Sequence, residues 1–253
     1  MTALSALAWP EVAERAAGGA VLLVPVGATE QHGPHLPLTT DTEIAAAVAA
    51  AAAPLLPGAV VAPALPYGSS GEHQGFPGTL SIGASATEAV LVELGRSAGT
   101  TFGTVVVVST HGGNAGPVEQ AVATLRAEGR DVRAWSPRWE GDAHAGRTET
   151  SLMLVIAPAR VRLGAAEAGD TSPLAELLPA LRRDGVRSVS PNGVLGDPGG
   201  ASPLEGRELL QSAVDQLVTF VRGPRPVETV EWDGSGTHGT GTDDTDTGTG
   251  GGR

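Results

Sequence analysis

The hydrophobic pattern divides the chain into short apolar runs and longer helical stretches. The runs at residues 21–26, 59–65, 105–109 and 131–135 have the length and β-branched character of buried strands. The run at 105–109, VVVVS, is continuous, as in a strand covered on both faces. Helices are predicted between them. The first runs from Trp9 to about Ala17, with Pro10 in its first turn and Gly18-Gly19 after its end. The second, 42–53, is alanine-rich and stopped by Pro54. The third runs to about Ala98 behind a capping box, Ser85-Ala-Thr-Glu88. Others start at Pro117, at Glu149 with Thr148 as cap, at residue 173, and at Pro203. Strands and helices taking turns in this way predict an α/β chain.

Two stretches escape the pattern. Residues 66–83, PYGSSGEHQGFPGTLSIG, form a long glycine-rich loop with Tyr67, Phe76 and Leu80 in it, as in an ordered loop lining a pocket. From residue 223 the composition turns to Gly, Thr and Asp. Such a segment buries too little apolar surface to offset its ordering entropy, so 223–253 is expected to be a disordered tail after a domain at 1–222.

Composition narrows the chemistry. Aromatics are 3% of 253 residues, so Ala, Val and Leu must fill the core. With no cysteine, disulfides, thiolate metal sites and a Cys nucleophile are excluded. The net charge of −12, with every basic side chain an Arg, argues against nucleic-acid and anionic-membrane partners. No basic segment precedes an apolar stretch at the N-terminus, and the Ala-rich run 44–56 is too short to span a bilayer. A cytoplasmic protein is expected.

The candidate chemistry gathers after the first strand. Residues 21–41 read VLLVPVGATEQHGPHLPLTTD, with Glu30, His32, His35 and Asp41 in a stretch stiffened by Pro34 and Pro37. Two carboxylates and an imidazole suit a divalent cation such as Zn²⁺, Mn²⁺ or Fe²⁺. Asp41, offering one oxygen to each of two ions, would start a two-metal site; alone it would equally suit a helix N-cap. His111, in the THGGN that ends the third strand, lies beyond a strand end as Glu30 and His32 do, where ligands gather in open α/β sheets. His73, beside Glu72 in the long loop, suits a ligand or a loop-bracing hydrogen bond equally. His144 and Glu149 flank a small-residue turn; Glu149 suits a metal ligand, a proton-transfer group or a partner of the helix dipole.

These blocks together resemble the creatininase family of metal-dependent amidohydrolases. The pattern E-x-H-G-x-H-L-P-x-x-x-D from Glu30 to Asp41, the 66–83 loop, the HGG at His111 and H-A-G-x-x-E-T-S from His144 agree in order, over residues 5 to 221. The resemblance implies a three-layer α/β/α sandwich with a mostly parallel central sheet. It implies one or two divalent metals (Zn, Fe or Mn) on Glu30, His32, Asp41 and His111, with Asp41 bridging. It also implies His144 as catalytic His with Glu149 beside it, Glu72 and His73 bordering the substrate cavity, and a homo-oligomer, often a hexamer. One position departs: the family's creatininase has a Glu ligand where this chain has Gly113. Glu149 completes the second metal, or water does, or that site is weak.

Within the family, GDAHAGRTETSLML and SPNGVLGDPGGAS are similar to a peptidase subgroup that removes a C-terminal Val-Tyr dipeptide from a small modified peptide. Arg147 is then a candidate for the dipeptide carboxylate, against an alternative as a surface or helix-terminal Arg. Rival readings are an amidohydrolase for creatinine or a formamide, and a non-catalytic metal-binding module.

Overall fold

The computed structural model describes residues 3–224. The tail from residue 225 onward, with His238, lies outside the described residues. Four strands, β1 (Val21–Val26), β2 (Val60–Val61), β3 (Thr104–Ser109) and β4 (Val132–Trp135), form one sheet in the order β2-β1-β3-β4. Every pairing is parallel, with Leu23 opposite Val61 and Val106, and Val106 opposite Arg133.

Parallel strands need crossover connections, and the helices that supply them cover both faces. The helices are α1 (Trp9–Ala17), α2 (Thr40–Ala52), α3 (Ala84–Ala98), α4 (Ala115–Ala127), α5 (Arg147–Ile156), α6 (Leu174–Asp184), α7 (Val186–Val189) and α8 (Pro203–Arg222). Side chains alternate across the pleat, so each strand feeds two cores. Leu23, Val61, Val106 and Val108 pack against α2, α5 and α8 through Ile44, Val48, Leu152, Val214 and Leu217. Leu22, Val24, Val105 and Val107 pack against α3 and α4 through Leu91, Val118, Val122 and Leu125. This is the three-layer α/β/α sandwich. No helix among the described residues is long and apolar enough to cross a membrane.

Several local expectations give way. The second strand is two residues long rather than seven. Pro63 offers no N–H for a ladder, and after Ala62 N–H bonds Leu23 O the next bond runs from Leu65 to Pro25 O, one residue out of step. The predicted caps at Ser85 and Thr148 are not used. α3 begins at Ala84 after Gly83 (φ 79°), and Thr87 bonds the Gly83 carbonyl through both its N–H and its hydroxyl. α5 begins at Arg147, whose N–H is accepted by Asp142. α4 begins at Ala115, two residues before Pro117. Asp41 lies inside the first turn of α2 and caps nothing.

α5 and α8 meet closely where Gly206 faces the Ser151 carbonyl. A Cβ on Gly206 would lie 1.9 Å from that oxygen, so only glycine permits the approach. Gly206→Ala is expected to cost about 1–3 kcal/mol through overpacking. Urea denaturation measures it, and an unchanged midpoint would contradict this account of the α5–α8 contact.

Candidate metal centre

The chain runs from β1 to β2 on one side and then returns to place β3 on the other. The β1–β3 boundary is therefore a topological switch point, where a crevice opens beyond the carboxyl ends of the strands. Glu30 and His32 follow β1, and His111 follows β3. Gly27, at the end of β1, lets α2 come close, since a Cβ there would lie 2.3 Å from Thr42 N. Thr110 donates to the Asp41 carbonyl at 2.7 Å and Thr42 to Ala28 O at 3.0 Å. These ties hold the first turn of α2, and Asp41 with it, over the same crevice.

Five candidate ligands converge there. His32 Nε2 is 3.4 Å from Asp41 Oδ1 and 3.8 Å from Glu149 Oε2. On the other side of Asp41, His111 Nδ1 is 3.5 Å from Oδ2, and His111 Nε2 is 3.2 Å from Glu30 Oε2. The two oxygens of Asp41 thus face two different groups of donors. His144 adjoins both through Glu30 and Glu149, and ligand-sized groups form at Glu30–Asp41–His111 and at His32–His144–Glu149. The rings of His32 and His73 lie 4.3 and 4.4 Å from that of His144.

Burial makes this cluster costly without a cation. Glu30 and His32 are fully buried and Asp41 is 2% exposed. Both oxygens of Glu30, Nε2 of His32 and Oδ2 of Asp41 have no hydrogen-bond partner. Orphaned buried acceptors of this kind fit a divalent ion. Burial pushes the Glu30 carboxyl up to about 8, against the pull of His111. It raises Glu149 too, tempered by His32. Burial opposes charge on His32, yet Asp41 and Glu149 outweigh it and lift that imidazole to about 10. Burial would likewise raise Asp41, but His32 holds it below the usual carboxylate range. Burial, with His32 and His73 adding to it, drives His144 well below the ordinary imidazole value.

Three histidines share one second-layer device. His32 Nδ1 donates to Glu30 O at 3.2 Å, His111 Nε2 to Ser69 O at 2.8 Å, and His144 Nε2 to Gln31 O at 2.8 Å. A carbonyl only accepts, so in the neutral ring each contact fixes the proton on one nitrogen and bares the other. The bared nitrogens are His32 Nε2, His111 Nδ1 and His144 Nδ1, and all three face the carboxylates.

The cluster opens into a cavity of about 690 Å³. Glu72, His73, His111 and His144 line it, together with Leu174, Leu178 and Leu181. A larger groove of about 1070 Å³ between β4 and α8 holds none of the candidate ligands. Glu72 and His73 therefore border the cavity beside the cluster. Arg147 does not: its guanidinium pairs with Glu205 at 2.9 Å, so the structure gives it the helix-terminal role and not a place in the cavity. Tyr67 and Leu80 are exposed on the outside, and only Phe76 of the loop's apolar trio packs inward, against Leu177, Leu181 and Val186. Gly113 is crowded. A Cβ there would lie 2.4 Å from Glu72 Oε1, which stands 3.7 Å from His111 Nε2.

Several contacts of the site carry no sequence signal. Asn114 is fully buried, donates to Gly27 O at 2.9 Å and accepts from Ser69 N–H at 2.9 Å, joining β1 to the 66–83 loop. His35 bonds Thr150 at 2.9 Å, bracing α5 beside Glu149. Ala145, at φ 52°, turns its N–H onto Glu149 Oε2 at 2.6 Å. The 190–202 segment backs His144, with Leu195 N–H bonded to His144 O at 2.9 Å. In each case the partner is distant in sequence or set by an unusual backbone angle.

Buried carboxylates and imidazoles with bared nitrogens, at the base of a cleft in an α/β sandwich, are the apparatus of a hydrolase. A sequence model of the creatininase family, described as creatinine amidohydrolase, matches residues 5–221, and the chain belongs to that family. It is 52% identical over 210 residues to the mycofactocin precursor peptide peptidase of Mycobacterium ulcerans (strain Agy99), covering 79% of this chain and 84% of that one. It is 31% identical over 258 residues to the creatinine amidohydrolase of Pseudomonas putida, covering 87% and 96%. Two solved structures superpose over 89% of this chain at 26% identity. One, creatininase Mn, has a TM-score of 0.74 and is covered to 99%; the other, a mutant creatininase of Zn-Zn type, has 0.71 and is covered to 98%.

Glu30 and His32 hold protons more tightly in the folded chain than at their ordinary values of 4.5 and 6.5. The metal-free protein should therefore lose stability as pH rises, from 4.5 to about 8 for Glu30 and from 6.5 to about 10 for His32. A metal that displaces those protons removes the penalty. Calorimetry across this window should show the metal-free melting temperature falling and its gap to the metal-loaded protein widening. A metal-free protein that grows more stable with rising pH would refute this electrostatic picture.

Proposed function

We propose that this hydrolase is a metal-dependent peptidase that cleaves an amide bond near the end of a small modified peptide. The observation that carries the reading is the buried Asp41 carboxylate, with one oxygen 3.4 Å from His32 and the other 3.5 Å from His111, in one group with Glu30. In this reading His32 and Glu149, with Asp41, would hold one divalent ion, and Glu30 and His111, with Asp41, would hold a second. Zinc, manganese and iron all suit such nitrogen and oxygen donors.

Ions bound there supply Lewis acidity toward water and toward the scissile carbonyl. The chain's own residues do the rest. His144 is neutral, with Nδ1 bared and its Nε2–H held by Gln31 O, so it takes up a proton as the amide is attacked and returns it to the leaving nitrogen. Glu149 is kept in place by the Ala145 N–H. Leu174, Leu178 and Leu181 offer an apolar wall for side chains next to the cleaved bond.

Likeness to the mycofactocin precursor peptide peptidase favours the modified mycofactocin precursor as substrate, with a C-terminal Val-Tyr unit released. An amidohydrolase for creatinine or a formamide is the second reading, supported by the likeness to creatinine amidohydrolase. Mass spectrometry of the metal-loaded protein incubated with the modified precursor peptide, and in parallel with creatinine, separates the two. Cleavage of the peptide that a chelator abolishes is expected; turnover of creatinine alone would replace the substrate.

His144→Ala should leave the metal content unchanged and lower turnover by about a hundredfold or more, the scale of general acid–base catalysis. Unchanged turnover would remove His144 from the mechanism.

A further inference from the structure

Gln31 lies at the centre of the histidine cluster, 5% exposed, between two segments far apart in sequence. Its side-chain oxygen accepts the Gly33 N–H at 2.8 Å, and its side-chain nitrogen meets Gly193 O at 2.9 Å. These two contacts fix which end of the amide is which. The nitrogen also lies 2.9 Å from His73 Nδ1 and 3.0 Å from His144 Nε2. An amide nitrogen has two hydrogens, so it can serve two of these three neighbours. His144 Nε2 already donates to the Gln31 carbonyl and cannot also accept. The two hydrogens therefore go to Gly193 O and to His73 Nδ1.

That assignment sets His73 apart. His32, His111 and His144 each meet a carbonyl, which accepts; His73 meets an amide N–H, which donates. Its Nδ1 must be bare. A ring that accepts a hydrogen bond at Nδ1 is neutral. Its single proton is then on Nε2, which faces Glu30 Oε1 at 3.4 Å.

We infer that Gln31 is a positioning residue that holds His73 in the tautomer opposite to its neighbours, so that its Nε2–H is turned toward Glu30 and it is not a metal ligand. Glu30, His73 and His144 lie close enough together to hold an ion, yet the Nε2 that His73 would offer carries a hydrogen. The cluster is split by this one amide. His32 and His111 present lone pairs to the cations, His144 keeps its own for a proton, and His73 turns an N–H toward one oxygen of Glu30 while the other lies 3.2 Å from His111. The inference rests on the metal reading given above and deepens it.

The test is histidine side-chain nitrogen NMR on the full-length, zinc-loaded protein, with the His73 signals identified by their loss in His73→Asn. Expected is a protonated His73 Nε2 and a bare Nδ1, neither perturbed by zinc, with His73→Asn holding as much zinc per chain as the unaltered protein. A zinc-perturbed His73 nitrogen, or the loss of one zinc in His73→Asn, overturns the inference. Gln31→Glu replaces the donor by an acceptor and should move the His73 proton to Nδ1 while His144 keeps its proton on Nε2. An unmoved His73 proton removes Gln31 from the role. Should the protein take up no zinc, the metal reading falls, and the His73 tautomer read in the metal-free protein still decides this inference.

Discussion

Burial of like charge in one crevice is the constraint around which the structure is arranged. Glu30, Asp41 and Glu149 are brought together with His32, His111 and His144 beyond the ends of two neighbouring strands. Carboxylates held this close and this deep repel one another and lose hydration. Nothing about the sheet itself favours such a cluster. It persists because stiff local geometry imposes it: Gly27 admits α2, Thr110 and Thr42 tie down its first turn, and Asn114 joins β1 to the 66–83 loop. The two aliphatic cores on either side of the sheet anchor these ties. A divalent cation is the natural counterpart to the arrangement.

Much of the fold was legible because hydrophobic period is a local property. β1 and β3 and most of the helices fall where the pattern of apolar residues predicts them. The failures have local causes too. Pro63 interrupts a run whose composition reads as a longer strand. Ser85 and Thr148 have the chemistry of caps, but the helices start two residues earlier than those caps require, at Ala84 and Arg147. Boundaries are decided by the backbone hydrogen bonds available at each end, which composition does not encode.

The candidate site divides in the same way. Glu30, His32 and His111 were legible because strand ends in an α/β sheet converge, so position along the chain stands in for position in space. Arg147 was misleading because proximity in sequence to His144 does not place its guanidinium; a helix turn carries it to Glu205. Gln31, Asn114 and the His35–Thr150 pair were invisible because their partners lie tens of residues away. Gly113 reads as a deletion against the family pattern. In space the volume a side chain would take there is already taken, by the Ser69 carbonyl and the carboxylate of Glu72, both from a different loop. A comparison of aligned letters sees the loss and not the neighbour that fills it.

The main-chain carbonyls that hold His32, His111 and His144 bear on how such a site can change over time. A side-chain partner can be mutated away; a peptide carbonyl cannot. The protonation pattern of those three rings is thus insulated from drift at Gln31, Ser69 or any nearby position, so long as the backbone keeps its path. His73 depends instead on a replaceable amide. Evolution can retune that one imbalance of donors and acceptors without dismantling the rest. A family that reaches different amides from one scaffold would find its adjustable element there.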